Sequence, residues 1–126
     1  MLKLIKNLLK DNLNLNIIAI LLTIGIAIIS LIKIEEQPIQ FNGLDKIQHA
    51  FAYFILTFTW LLALRASKIK SIYVLAICFI FGILIEALQV TISYRTGEFF
   101  DIVANTTGIL IAYIFYVSFF KKNVAI

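Results

Sequence analysis

GILIEALQVTISYRTGEFFDIVANTTG, residues 82–108, carries one apolar run into the next across a short polar turn. Glu86 and Gln89 interrupt the first run, Arg95 and Glu98 lie in the turn, and Asp101 and Asn105 open the second run. If both runs cross a membrane, these groups are costly at that depth, must face protein or water, and mark a candidate site. Composition supports that premise. The 126 residues are 62% hydrophobic and only 14% charged, with a mean hydropathy of +1.01, whereas a soluble domain has roughly a quarter of its residues charged. The expectation is a single all-α, polytopic membrane domain over 1–126 with no room for a soluble domain.

Working outward, approximate spans fall at 71–92 and 102–120 on either side of the turn, then at 47–65 and 15–34 upstream. Four transmembrane helices of about 20 residues each account for most of the chain. Before the first span, Leu2, Ile5, Leu9 and Leu13 recur at helical spacing among Lys3, Lys6 and Lys10. That pattern suits either a basic helix lying in the interface or a plain basic flank. Lys33-Ile34-Glu35-Glu36 has none of the small residues of a signal cleavage site. Pro38 and Asn42-Gly43 mark the first loop. Eight Lys and Arg flank one side of the spans (Lys3, Lys6, Lys10, Arg65, Lys68, Lys70, Lys121, Lys122) against Lys33, Lys46 and Arg95 on the other. This bias predicts cytoplasmic N- and C-termini. Glu35, Glu36, Asp45, Glu98 and Asp101 then share the extracytoplasmic side.

On a helix, Asp45 and His49 share one side with Tyr53 a turn further on, Gly82, Glu86 and Gln89 share another, and Asp101, Asn105, Gly108 and Ala112 line a third. Small residues at Gly82, Gly108 and Ala112 permit close helix approach. The economical arrangement is one extracytoplasmic polar cluster, with Arg95 in the turn beside it. Glu86 lies six residues before Ile92, roughly 9 Å below the span's end at 1.5 Å per residue. It is therefore expected to be neutral or paired with Arg95, Lys46 or a protonated His49. The second and fourth spans present their helix N-termini at this side. Asp45 or Asp101 could cap those ends, or the amides with Lys46 and Arg95 could hold a lipid phosphate.

Lys46, His49, Arg95 and Asn105 are the candidate ligand contacts, with Asp45, Glu86, Gln89 and Asp101 orienting them. Glu86 and His49 are the candidates for proton transfer; a histidine beside carboxylates could also ligate a metal, and structural hydrogen bonding alone accounts equally well for the single histidine. For Arg95, a salt bridge to Asp101 or Glu98 competes with ligand binding. Catalysis stays open. No metal and no cofactor is assigned, since Gly-rich phosphate loops, GxSxG, HExxH and paired cysteines are all missing. Cys78, alone in an apolar run, reads as packing. The aromatics from Phe51 to Trp60 read as helix packing and interfacial anchors. Membrane lipids and a lipid-linked envelope precursor are the expected partners, and nucleic acid is not. Four spans without a repeat leave little basis for transport.

Asp45-Lys46-Ile47-Gln48-His49 with the aromatic tract after it, Ile85-Glu86-Ala87-Leu88-Gln89, Arg95-Thr96-Gly97-Glu98, and Asp101-Ile102-Val103-Ala104-Asn105 with Gly108 together resemble the VanZ-like family of small bacterial membrane proteins. The resemblance covers about two thirds of the chain, and Glu98 stands where the family pattern has aspartate. It implies a multi-pass protein of the bacterial cytoplasmic membrane, in a family associated with reduced susceptibility to the glycopeptide teicoplanin. It implies no catalytic mechanism. Three functions follow as expectations: binding of an anionic lipid or envelope-precursor headgroup, catalysis on a lipid-linked phosphate or ester, or a structural, partner-binding subunit.

Overall fold

The computed structural model describes residues 1–3, 12–32, 43–92 and 98–120. Residues 4–11 of the proposed interfacial helix, residues 33–42 of the first loop, Arg95 and the C-terminal lysines lie outside the described residues. Among the described residues four helices make up the fold: α1 Asn12–Leu31, α2 Leu44–Ala63, α3 Ser71–Thr91 and α4 Phe99–Phe120. Among the described residues there is no strand. Three helices among the described residues are long and apolar enough to cross a membrane, over Asn14–Leu31, Ser71–Thr91 and Phe99–Phe120. α2 is of similar length, but its opening turns carry Asp45, Lys46, Gln48 and His49.

α2 is nevertheless the centre of the bundle, packing against α1, α3 and most extensively α4. Leu56, Thr57 and Leu61 on α2 are almost wholly buried. Leu21, Ile77, Val90, Ile114 and Phe119 on the other helices point outward, a continuous apolar exterior suited to acyl chains rather than water. Where lipid surrounds the bundle, helix association draws on close packing more than on hydrophobic burial. Gly108 shows this directly. A Cβ built there would stand 2.1 Å from the Ala50 carbonyl oxygen, so α2 and α4 touch backbone to backbone. Beyond that contact, Phe54 stacks on Phe58 and meets Phe115 edge-on, and Phe58 meets Phe120. These aromatics thus pack the α2–α4 seam.

Several hydroxyls inside the apolar segments are satisfied locally. Thr59, Thr106 and Thr107 each donate to the carbonyl four residues back, which lets a helix carry them into lipid at little cost. Thr23 does likewise toward Ala19 and also accepts from Trp60 Nε1 at 3.0 Å, tying α1 to α2. Observed helix starts differ from the expected spans at 47 and 102: α2 and α4 each begin three residues earlier, at Leu44 and Phe99. Hydropathy marks where lipid begins, whereas the backbone ladder continues through the polar residues beyond it.

Candidate polar site at one end of the bundle

The N-termini of α2 and α4 and the C-terminal part of α3 bring their polar groups together. α2 starts from Gly43, whose φ of 87° lies in the left-handed region that glycine enters without strain. From there Asp45, Lys46 and His49 occupy the first turns. Glu86 comes from α3, and Asp101 and Asn105 come from α4. Glu86, Asp101 and Asn105 are each 4% exposed or less.

Two clusters share Asp101. In the outer one, Lys46 Nζ donates to Asp45 Oδ2 at 2.7 Å, Glu98 Oε2 at 2.6 Å and Asp101 Oδ1 at 2.5 Å. All three ammonium hydrogens are thereby engaged. The Lys46 hydrogen bond holds the Asp45 carboxyl below the usual carboxylate range. Partial desolvation pulls the Lys46 ammonium down, but its bonds to Asp101, Asp45 and Glu98 outweigh this and raise its pKa above the ordinary lysine value. Gly43 is the N-cap of α2 and makes no side-chain cap hydrogen bond, while both aspartates accept from Lys46.

In the inner cluster His49 is the hub. Its Nδ1 donates to Asn105 Oδ1 at 2.9 Å, lies 3.7 Å from Glu86 Oε1, and leaves Nε2 facing Asp101 Oδ2 at 3.8 Å. His49, Glu86 and Asp101 each offer a ligand atom within 4.8 Å of the others. Both Glu86 oxygens and Asn105 Nδ2 are buried without a hydrogen-bond partner among the described residues. The Glu98 backbone amide approaches Glu86 from the start of α4 without closing a bond of normal geometry. A buried carboxylate with hydrogen-bonding capacity unspent calls for an occupant or a proton.

Gln89 does not join this group. Its Nε2 donates to the Ser30 carbonyl at 2.9 Å, which links α3 to the end of α1 and leaves Gln89 Oε1 buried and unpartnered among the described residues. Tyr53 sits below the inner cluster, its ring 3.2 Å from where a Gly82 Cβ would be. Thr23 and the Ser30 backbone carbonyl, through which α1 is tied to α2 and α3, escaped sequence reasoning because a lone hydroxyl or a main-chain carbonyl in an apolar run carries no signal. Glu98 as a Lys46 partner escaped it too. An apolar cavity of about 240 Å³ lies elsewhere, among Thr23, Leu56, Trp60, Val74, Cys78 and Phe81, and offers little to a polar headgroup.

The fold and this site together define a helical membrane protein with ionisable side chains from three helices gathered at one end of the bundle. The chain belongs to the VanZ/LLP1 family, whose model matches residues 3–121. It is 35% identical over 89 residues to the uncharacterized protein C11E3.10 of Schizosaccharomyces pombe, covering 68% of this chain. The chain spans 53% of the length of that curated relative. No solved structure matches it.

Proposed function

We propose that this is a four-span protein of the bacterial cytoplasmic membrane that takes up the phosphate-bearing headgroup of an anionic lipid or lipid-linked envelope precursor at the outer polar end of α2, α3 and α4. The observation that carries the reading is the unspent hydrogen-bonding capacity of buried Asn105 Nδ2 beside His49, where three helices meet. Lys46 spends its donors on three carboxylates, so it orients acids rather than touching the ligand. Contacts fall to Asn105, His49, the helix N-terminal amides and Arg95. Occupancy of such a site by an envelope precursor would also give the family's association with teicoplanin susceptibility a physical basis.

Native mass spectrometry of detergent-purified protein with lipids retained tests this and separates a bulk lipid from a precursor by mass. Losing a hydrogen bond to a charged group costs about 1.5–3 kcal/mol, so Asn105→Ala and Arg95→Ala should each lower lipid retention roughly tenfold or more. Unchanged retention in both would overturn the reading. Loss of stability with retention intact would leave the cluster as a lock between helices, the structural alternative.

One observation favours a catalytic version of the same site. With Nδ1–H committed to Asn105, His49 Nε2 is free to accept a proton from a water attacking a lipid-linked phosphate or ester, with Glu86 alongside. Turnover that vanishes in Glu86→Gln while the bundle stays folded distinguishes catalysis from binding.

A further inference from the structure

The two clusters that share Asp101 differ in one respect. Asp45, Glu98 and Asp101 form a carboxylate group whose cation is present, the Lys46 ammonium. His49, Glu86 and Asp101 form a second group of similar closeness, whose ammonium contact among the described residues is Lys46 on Asp101 Oδ1. There Glu86 is 4% exposed with both oxygens unpartnered among those residues. Four acids, Asp45, Glu86, Glu98 and Asp101, thus gather around one lysine and one histidine.

We infer that His49, Glu86 and Asp101 bind one divalent cation of the zinc class. The ligand set decides the class: two carboxylates alone suit Mg²⁺ or Ca²⁺, but an imidazole nitrogen favours a borderline metal. Asn105 acts from behind the ring. By accepting Nδ1–H at 2.9 Å it fixes the tautomer and leaves Nε2 to ligate on the side of Asp101, the usual support for a metal-bound histidine. Lys46 similarly holds Asp101 Oδ1 and leaves Oδ2 toward the histidine. Zinc ligands at about 2.0–2.2 Å stand roughly 3–3.5 Å apart, so side-chain rotation has to draw this group inward by about 1–2 Å, chiefly at Glu86, which lies nearest Nδ1 at 3.7 Å.

Three protein ligands leave a coordination position open. Resting on the headgroup reading above, that position takes a phosphate oxygen, which explains how a site rich in carboxylates can hold an anion. The cation supplies the positive charge that Lys46 has already committed elsewhere.

The test uses the full chain in detergent, stripped with EDTA, loaded with Zn²⁺, desalted and analysed for metal by mass spectrometry, with Co²⁺ absorption as a spectroscopic check. About one equivalent should remain on the native sequence, and His49→Ala, Glu86→Gln and Asp101→Asn should lose it. Asn105→Ala should weaken binding by about 10–100-fold. Glu98→Gln, confined to the lysine cluster, should leave metal content unchanged. If Glu86→Gln does not fold, titration of the stripped native chain decides, since a single saturable site disturbed by His49→Ala supports the inference. No retained metal in the native chain, or equal retention in His49→Ala, overturns it, as does loss confined to Glu98→Gln. Lipid retention with and without EDTA separates this from the headgroup reading. Lipid held equally without metal leaves that reading standing and removes the metal from its mechanism, while metal bound with no lipid does the reverse.

Discussion

Lys46 illustrates how one side chain sets the charge of a whole site. Its side chain is 28% exposed, yet that of Asp101, one of the three carboxylates it joins, is only 5% exposed. Removing the cation would leave that buried acid without its partner, whereas removing Glu98, 52% exposed, gives up only an exposed ion pair. Lys46→Met should therefore cost about 1–3 kcal/mol and Glu98→Gln about 0–1 kcal/mol. Thermal unfolding followed with a thiol-reactive dye checks this, because Cys78 is buried and becomes reactive only when the bundle opens. pH gives a second signature. The lowered Asp45 value makes its contribution available above the unfolded carboxylate pKa and lost as pH falls through the folded one. The raised Lys46 value makes its contribution complete below the unfolded lysine pKa and lost as pH rises through the folded one. Stability owed to the pair should thus be flat between about pH 4 and pH 10, a plateau that unfolding scans across pH would show and Lys46→Met would flatten at both ends.

Between elements, the two glycines at helix contacts predict different penalties. A Cβ at Gly108 meets the Ala50 carbonyl oxygen and the Phe54 amide nitrogen, all backbone, so α2 and α4 would have to separate. At Gly82 it would meet the Asn105 amide and the Tyr53 ring at 3.2 Å, both side-chain atoms that can shift. Gly108→Ala should cost about 1–3 kcal/mol in the same unfolding assay, and Gly82→Ala less, with its effect read instead as weaker lipid retention through Asn105. Equal losses at the two positions would contradict this packing. The helices themselves were legible in sequence because long uncharged runs have few alternatives in lipid. Which residues pair was not. Lys46 meets Glu98 and Asp101 across 52 and 55 residues, separations that helical spacing cannot resolve. Gln89 sits three residues after Glu86, about 60° off its direction around the helix, and that angle suffices to turn it from the site to Ser30 of α1. Spacing identifies a common side, while the neighbour on that side depends on how the helices are arranged.

For the molecule as a whole, orientation in the membrane decides whether the polar end faces the envelope or the cytoplasm. The described helices place the starts of α2 and α4 and the end of α3 together, so the Leu64–Lys70 turn belongs to the opposite end. That turn carries Arg65, Lys68 and Lys70 without an acid, and basic residues close to spans are retained on the cytoplasmic side. The polar end, which gathers Asp45, Glu98 and Asp101, should then be extracytoplasmic. Because Cys78 is the chain's single cysteine, Cys78→Ala gives a background for placing one reporter cysteine at a time. With α2 crossing as a fourth span, a membrane-impermeant thiol reagent applied to intact cells should label cysteines placed at Gln37 and Thr96 and spare those at Ala66 and Asn123. Labelling at Ala66 with protection at Thr96 would invert the protein and expose the site to cytoplasmic ligands. Labelling at both Gln37 and Ala66 would show that α2 does not cross, and the bundle could not then enclose the His49 site within the bilayer. Exchanging Arg65, Lys68 and Lys70 for glutamine should raise the inverted fraction, because those residues supply three of the eight basic charges that retain this side.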